Sequence, residues 1–214
     1  MKLDYSWSGP DDFRCWGPFI SFGNDASTEI RITWRSKFMT MHKWIEYGEN
    51  PRCEIRLEED TPPRYLQSFI LTGLKPDTKY FYRISRPENH IKNKIDTYNA
   101  GILIEEFIEK DGNPLYSFST SPKKTSESDK PISFRFCVTS DIHCRGTNME
   151  ESYNNMVKNS PDMGFLAVAG DLFSHGGEEE CWNSYFYQLY PYTLSHNFAL
   201  MNTTGNHDTD HHET

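Results

Sequence analysis

Six residues in the second half of the chain have the types and spacing for metal chemistry: Asp141 and His143, then Asp171, then Asn206, His207 and Asp208. Carboxylate and amide oxygens with imidazole nitrogens form a donor set for divalent or trivalent cations. Each group follows an apolar run. The first, Ile132 to Ser140, has Ile132, Phe134, Phe136 and Val138 at every second position; the others are Phe165 to Ala169 and Phe198 to Met201. Alternation of this kind predicts a strand entering a core. Three such strands, each ending in Asp, His or Asn, describe one site at the carboxyl edge of a sheet.

The intervening segments are of the kind that could hold those edges together. Residues 148–159 carry Met149, Tyr153 and Met156 at helical spacing, with acidic residues early and Lys158 late, and Pro161 follows. Glu178 to Tyr190 is a second helix candidate, rich in Trp182, Tyr185, Phe186 and Tyr190. The order strand, helix, strand, helix, strand implies a parallel α/β sheet.

The first half has a different texture. Ile30, Ile32 and Trp34 alternate with polar partners, and residues 44–48 and 65–71 also read as strands, which suggests a sandwich. Leu74, Pro76, Thr78 and Tyr80 are spaced as in the tyrosine corner of fibronectin type III domains, which they resemble. Residues 101–109 and 115–120 suggest a hairpin around Asp111-Gly112, with a short helix over 102–108 as the competing reading. The polar, proline-bounded stretch from Ser121 to Pro131 reads as a linker. The expected organisation is a sandwich over residues 1–120, a linker over 121–131 and an α/β unit over 132–214.

With 214 residues, 36% hydrophobic and 14% aromatic, the chain can bury a sizeable core. A net charge of -9 argues against a nucleic-acid partner or an anionic membrane surface, since polyanions are repelled before specific contact. An acidic protein can still take a phosphate ester when metal ions sit in the pocket. Met1 to Gly17 lacks a basic start followed by an apolar run, so the expected location is cytoplasmic, or secreted if Met1 is not the native start. Five cysteines, none in a Cys-x-x-Cys pair, fit reduced thiols.

Asp141-x-His143, Gly170-Asp171 and Gly205-Asn206-His207-Asp208 resemble the first three blocks of the calcineurin-like metallophosphoesterases. A fibronectin-like sandwich just before them resembles the purple acid phosphatase branch. The implied fold is an all-β fibronectin III-like sandwich followed by an α/β metallophosphoesterase domain, its first βαβαβ portion only. The implied activity is hydrolysis of a phosphate ester, with two metal ions supplying a nucleophile at neutral pH and charge to meet the phosphoryl oxygens.

The resemblance gives Asp171 the role of bridging carboxylate, with Asp141 and His143 on one metal and the Asn206 amide oxygen on the other. Fe, Mn, Zn, Ni and Co all suit such donors. The expected reaction is in-line attack by a metal-bound hydroxide with no covalent phosphoenzyme. In it His207 donates toward the phosphoryl and leaving oxygens, and Asp208 orients its ring.

Two departures qualify the likeness to purple phosphatases: that branch has Asp-x-Gly where Asp141-Ile142-His143 stands, and a tyrosine where Ser174 stands. A ferric tyrosinate is therefore not expected, and the first metal site resembles that of the broader Asp-x-His phosphoesterases. Family members also supply a lone histidine and a Gly-His-x-His from later blocks, which nothing here matches. The expectation is an amino-terminal portion of a longer protein, binding metal weakly. The rival reading is a non-catalytic β-sandwich binding or adhesion module carrying a degenerate phosphoesterase remnant.

Four further residues have weaker claims. His175 is a candidate for lining the phosphate pocket, with a solvated loop histidine as the alternative. His211 and His212 invite a metal assignment from a poorly anchored terminal segment. Cys144 adjoins His143, and a reduced thiol is the better reading than a thiolate ligand. The aromatic residues from Trp182 to Tyr192 are read as helix-packing core.

Overall fold

The computed structural model describes residues 16–85, 115–123, 133–143, 148–173, 176–177 and 179–209. Strands β1 (Trp16–Phe22), β2 (Ile30–Gly48), β3 (Ile55–Leu71), β4 (Lys79–Ile84) and β5 (Tyr116–Ser119) come first. They are followed by β6 (Phe136–Thr139), α1 (Asn148–Asn159), β7 (Phe165–Ala169), α2 (Glu179–His196) and β8 (Ala199–Thr203). The first strand and turn of the hairpin expected over 101–120, most of the linker, and Cys144, His175, His211 and His212 lie outside the described residues, while the hairpin's expected second strand is β5.

Among the described residues of the first half all pairing is antiparallel. Residues 30–35 of β2 lie between β1 and the end of β3, whereas residues 42–47 pair with residues 55–60 of β3, and residues 45–48 also with β4. The ladder shifts register between Arg35 and His42, so one long strand serves both halves of the sandwich where the sequence predicts two short ones. The reason is visible in the pattern: Ile30, Ile32 and Trp34, then Ile45 and Tyr47, keep alternate side chains inside on either side of the break. They meet Phe69, Leu71, Tyr80, Tyr82 and Phe118 in one core.

The tyrosine corner is present as a hydrogen bond. The Lys75 backbone N–H donates to the Tyr80 hydroxyl at 3.0 Å, and the Thr120 hydroxyl ties the same turn by donating to the Lys75 carbonyl at 2.6 Å. Replacing Tyr80 by Phe should cost about 0.5–1.5 kcal/mol, the net worth of one such bond, read as a lower urea midpoint with unchanged slope.

In the second half β6, β7 and β8 form a parallel sheet in that order. Both helices pack on one face of it: Tyr153 and Val157 from α1, with Tyr185, Leu189 and Tyr192 from α2, close over Leu166, Val168 and Leu200. Helix α2 runs past its expected end at Tyr190, through Pro191, to His196. Pro191 can donate no hydrogen bond to the preceding turn, but buried Leu189 and Tyr192 on either side hold the helix against the sheet.

One sequence expectation is corrected. The alternating face of β6 does not enter the core: Phe134, Phe136 and Val138 are 66%, 49% and 62% exposed, and Cys137 is the β6 residue that packs inward. A parallel sheet usually has both faces covered, and here the helices take only the Cys137 side. On the other side Phe136 stacks on Phe165 at 4.9 Å between ring centres.

The sandwich covers the remainder of that second face. Ala199 belongs to the sandwich core, Phe22 meets Phe165 edge-on at 5.9 Å, and the Phe22 N–H points to the Met201 sulfur at 3.4 Å. Strand β1 also faces α2: Trp16 stacks on Phe186 at 4.4 Å and its indole N–H donates to Asn183 Oδ1 at 3.0 Å. Arg35 forms an ion pair with Glu179 in the first turn of α2. The two halves therefore meet through apolar, hydrogen-bonded and ionic contacts, with Trp16 and Phe19 joining the core of the second half and Ala199 that of the first.

Candidate metal centre

Parallel pairing places the carboxyl ends of β6, β7 and β8 side by side, since Thr139 is opposite Val168 and Ala169 is opposite Thr203. The loops leaving them continue the pairing. The Asp141 N–H donates to the Gly170 carbonyl and the His143 N–H to the Asp171 carbonyl, each at 3.1 Å. Asp141, His143 and Asp171 all adopt positive φ, at 53°, 44° and 51°. That conformation is uncommon for side chains other than Gly and turns consecutive residues out of the strand direction.

The third loop is folded onto the second by a carboxylate. Asp208 is buried; its Oδ1 accepts from the Phe173 N–H at 3.0 Å and its Oδ2 from the Gly205 N–H at 2.9 Å. These bonds make Asp208 a clamp between backbone segments. The His207 N–H donates to Asp171 Oδ1 at 3.0 Å, and the His207 carbonyl accepts from the Gly176 N–H at 2.9 Å. Glycines permit this closeness: a Cβ on Gly205 would stand 2.1 Å from Asp171 Oδ1, and one on Gly170 would stand 2.7 Å from the Gly205 nitrogen. Gly205→Ala should push the Asp171 carboxylate aside and destabilise the chain by about 1–3 kcal/mol, measurable by chemical denaturation.

His143, Asp171 and His207 each offer a ligand atom, and these atoms lie within 4.8 Å of one another. The imidazole rings of His143 and His207 meet edge-on at 4.9 Å. Ligands bonded to a transition metal at about 2.0–2.2 Å can be no farther apart than about 4.4 Å, so small side-chain movements would let His143 and Asp171 close on one ion with the His207 imidazole within reach of it. The donor set, two nitrogens and a carboxylate, suits Zn, Mn, Fe, Co or Ni. The fit to a metal is therefore chemical as well as geometric.

The carboxylate of Asp141 is not part of this cluster; it is exposed, and its Oδ2 accepts from the Ser140 hydroxyl at 2.5 Å. Asn206 is exposed on the same turn as His207. The sequence alone gave no sign of two other residues at the site's margin. Gly176 bonds through its N–H to His207, and the Trp182 indole N–H donates to the Gly176 carbonyl at 2.6 Å. No motif marks either, because both bonds meet backbone groups of Gly176, which no residue type reports.

The sequence model of the purple acid phosphatase N-terminal domain matches residues 16–100, and that of the calcineurin-like phosphoesterases matches residues 134–214. No curated protein matches the chain by sequence. Among solved structures, a purple acid phosphatase from yellow lupin (Lupinus luteus) seeds aligns with a TM-score of 0.60 at 17% identity, covering 92% of this chain and 36% of its own. PhoD aligns with a TM-score of 0.55 at 12% identity, covering 95% of this chain and 41% of its own. This chain thus spans well under half the length of either structure.

Proposed function

We propose, from a chain that joins a purple acid phosphatase-type N-terminal sandwich to calcineurin-like phosphoesterase sequence, that this protein hydrolyses phosphate esters at a dinuclear metal centre. The observation that carries the reading is the convergence of His143, Asp171 and His207 at the carboxyl edge of a parallel sheet.

Asp171 lies within 4.8 Å of both His143 and His207 through its ligand atoms and also accepts the His207 backbone N–H, which supports a central, bridging role. Asp141 and His143 would hold one cation and Asn206 the second. Bound metals would supply the nucleophile and offset the negative charge of the phosphoryl group. The chain's own residues supply orientation and proton movement. His207, the most exposed of the trio, donates a proton toward the leaving oxygen, and its backbone is fixed on both sides by Asp171 and Gly176.

Elemental analysis of the purified full chain, with p-nitrophenyl phosphate turnover before and after chelation, tests the proposal. Bound transition metal with chelator-sensitive turnover is the expected result. Absence of both would leave the rival binding-module reading.

A further inference from the structure

We infer that Trp182 is a positioning residue for the metal centre, and that the sandwich reaches that centre through it; this rests on the proposed function above. Trp182 lies in the first turns of α2 and touches the site by two routes. Its indole N–H donates to the Gly176 carbonyl at 2.6 Å, and the Gly176 N–H donates in turn to the His207 carbonyl at 2.9 Å. Its ring also packs on Phe173 at 4.5 Å, and the Phe173 N–H holds the Asp208 clamp at 3.0 Å. Both routes end on the turn that carries His207, whose own N–H is bonded to the Asp171 carboxylate.

On its far side Trp182 is itself held. It stacks with Phe186 at 6.2 Å, and Phe186 stacks on Trp16 of β1 at 4.4 Å. The neighbouring Asn183 accepts the Trp16 indole N–H, and Arg35 of β2 pairs with Glu179 one turn earlier. A tryptophan packed into a core still needs an acceptor for its N–H, and here that acceptor is the Gly176 carbonyl, in the segment between Asp171 and α2. The spacing of His207 from Asp171 is thereby set by an aromatic contact with the sandwich, through a chain of contiguous contacts.

The test compares the wild-type chain with Trp182→Phe, which keeps an aromatic ring and removes the N–H, and with Val157→Ala, which loosens the same core from α1. Amide hydrogen exchange is read without metal, followed by titration with Co2+ alone and its visible absorption spectrum. Trp182→Phe should speed exchange at Gly176 and His207 about two- to tenfold. It should also raise the Co2+ dissociation constant about tenfold with an altered spectrum, as loss of a supporting contact does. Val157→Ala should leave these amides and the spectrum unchanged at a comparable loss of melting temperature. Unchanged exchange in Trp182→Phe, or equal loosening by Val157→Ala, overturns the inference. A wild-type chain that takes up no Co2+ overturns the metal reading instead, and the exchange comparison still decides the tie.

Discussion

Replacing Asp171 by Asn should lower metal affinity by more than roughly 100-fold, beyond what loss of a supporting contact costs, and reduce phosphoester turnover to background. The substitution is nearly isosteric. The Asn side-chain oxygen can still accept the His207 N–H that Asp171 Oδ1 now takes at 3.0 Å, so the turn should keep its place. What disappears is the negative charge, which is what one oxygen donor shared between two cations most needs. The measurement is a thermal shift with and without Mn2+. A ligand at 100 times its dissociation constant stabilises a native protein by about 2.7 kcal/mol, so wild type should gain melting temperature on adding metal and Asp171→Asn should not. Equal metal-induced shifts in the two proteins would remove Asp171 from the centre.

His207→Ala should lower turnover by about 10²–10⁴-fold, the usual worth of a positioned acid or base. Metal content should stay near normal, because the side chain proposed to protonate the leaving oxygen is not proposed to hold an ion. His143 and Asp171 remain, and the backbone bonds of residue 207 to Asp171 and Gly176 do not need the imidazole. The loss should be larger for an alkyl phosphate than for p-nitrophenyl phosphate, whose leaving group departs without protonation. The alternative is concrete, since the His207 ring lies close enough to His143 and Asp171 to join them as a ligand. Loss of metal together with turnover, equal for both esters, would give it that role.

The elements that build this site were legible because their signals are local. The continuous apolar run over residues 165–169 and the helical spacing over 148–159 each report burial by a neighbouring layer, and both elements form where those patterns predict them. The Leu74 to Tyr80 spacing likewise encodes a bond within a single turn, the one from Lys75 to Tyr80. Legibility stopped where an outcome depended on a second layer. Phe134, Phe136 and Val138 have the pattern of a buried face, yet whether a face is buried depends on what lies across from it. The joining of two strands into β2 and the continuation of α2 through Pro191 are tertiary in the same sense.

At the site, residue types pointed to Asp141, His143, Asp171, Asn206 and His207, because few side chains can hold a cation. They could not show that His143, Asp171 and His207 draw closest, nor that Asp208 is occupied by the Phe173 and Gly205 amides. Those facts are set by how three loops cross, and the crossing depends on glycines 170, 176 and 205, where a Cβ would collide with backbone or with Asp171.

The left-handed backbone at Asp141, His143 and Asp171 carries an evolutionary cost. Glycine would sit there more comfortably, by about 1 kcal/mol at each position before its greater freedom in the unfolded chain is counted against it. Selection for thermal robustness alone would thus tolerate erasing these side chains. If the proposed metal centre is what keeps them, a lineage released from that demand should lose these side chains before it loses the surrounding hydrophobic layers.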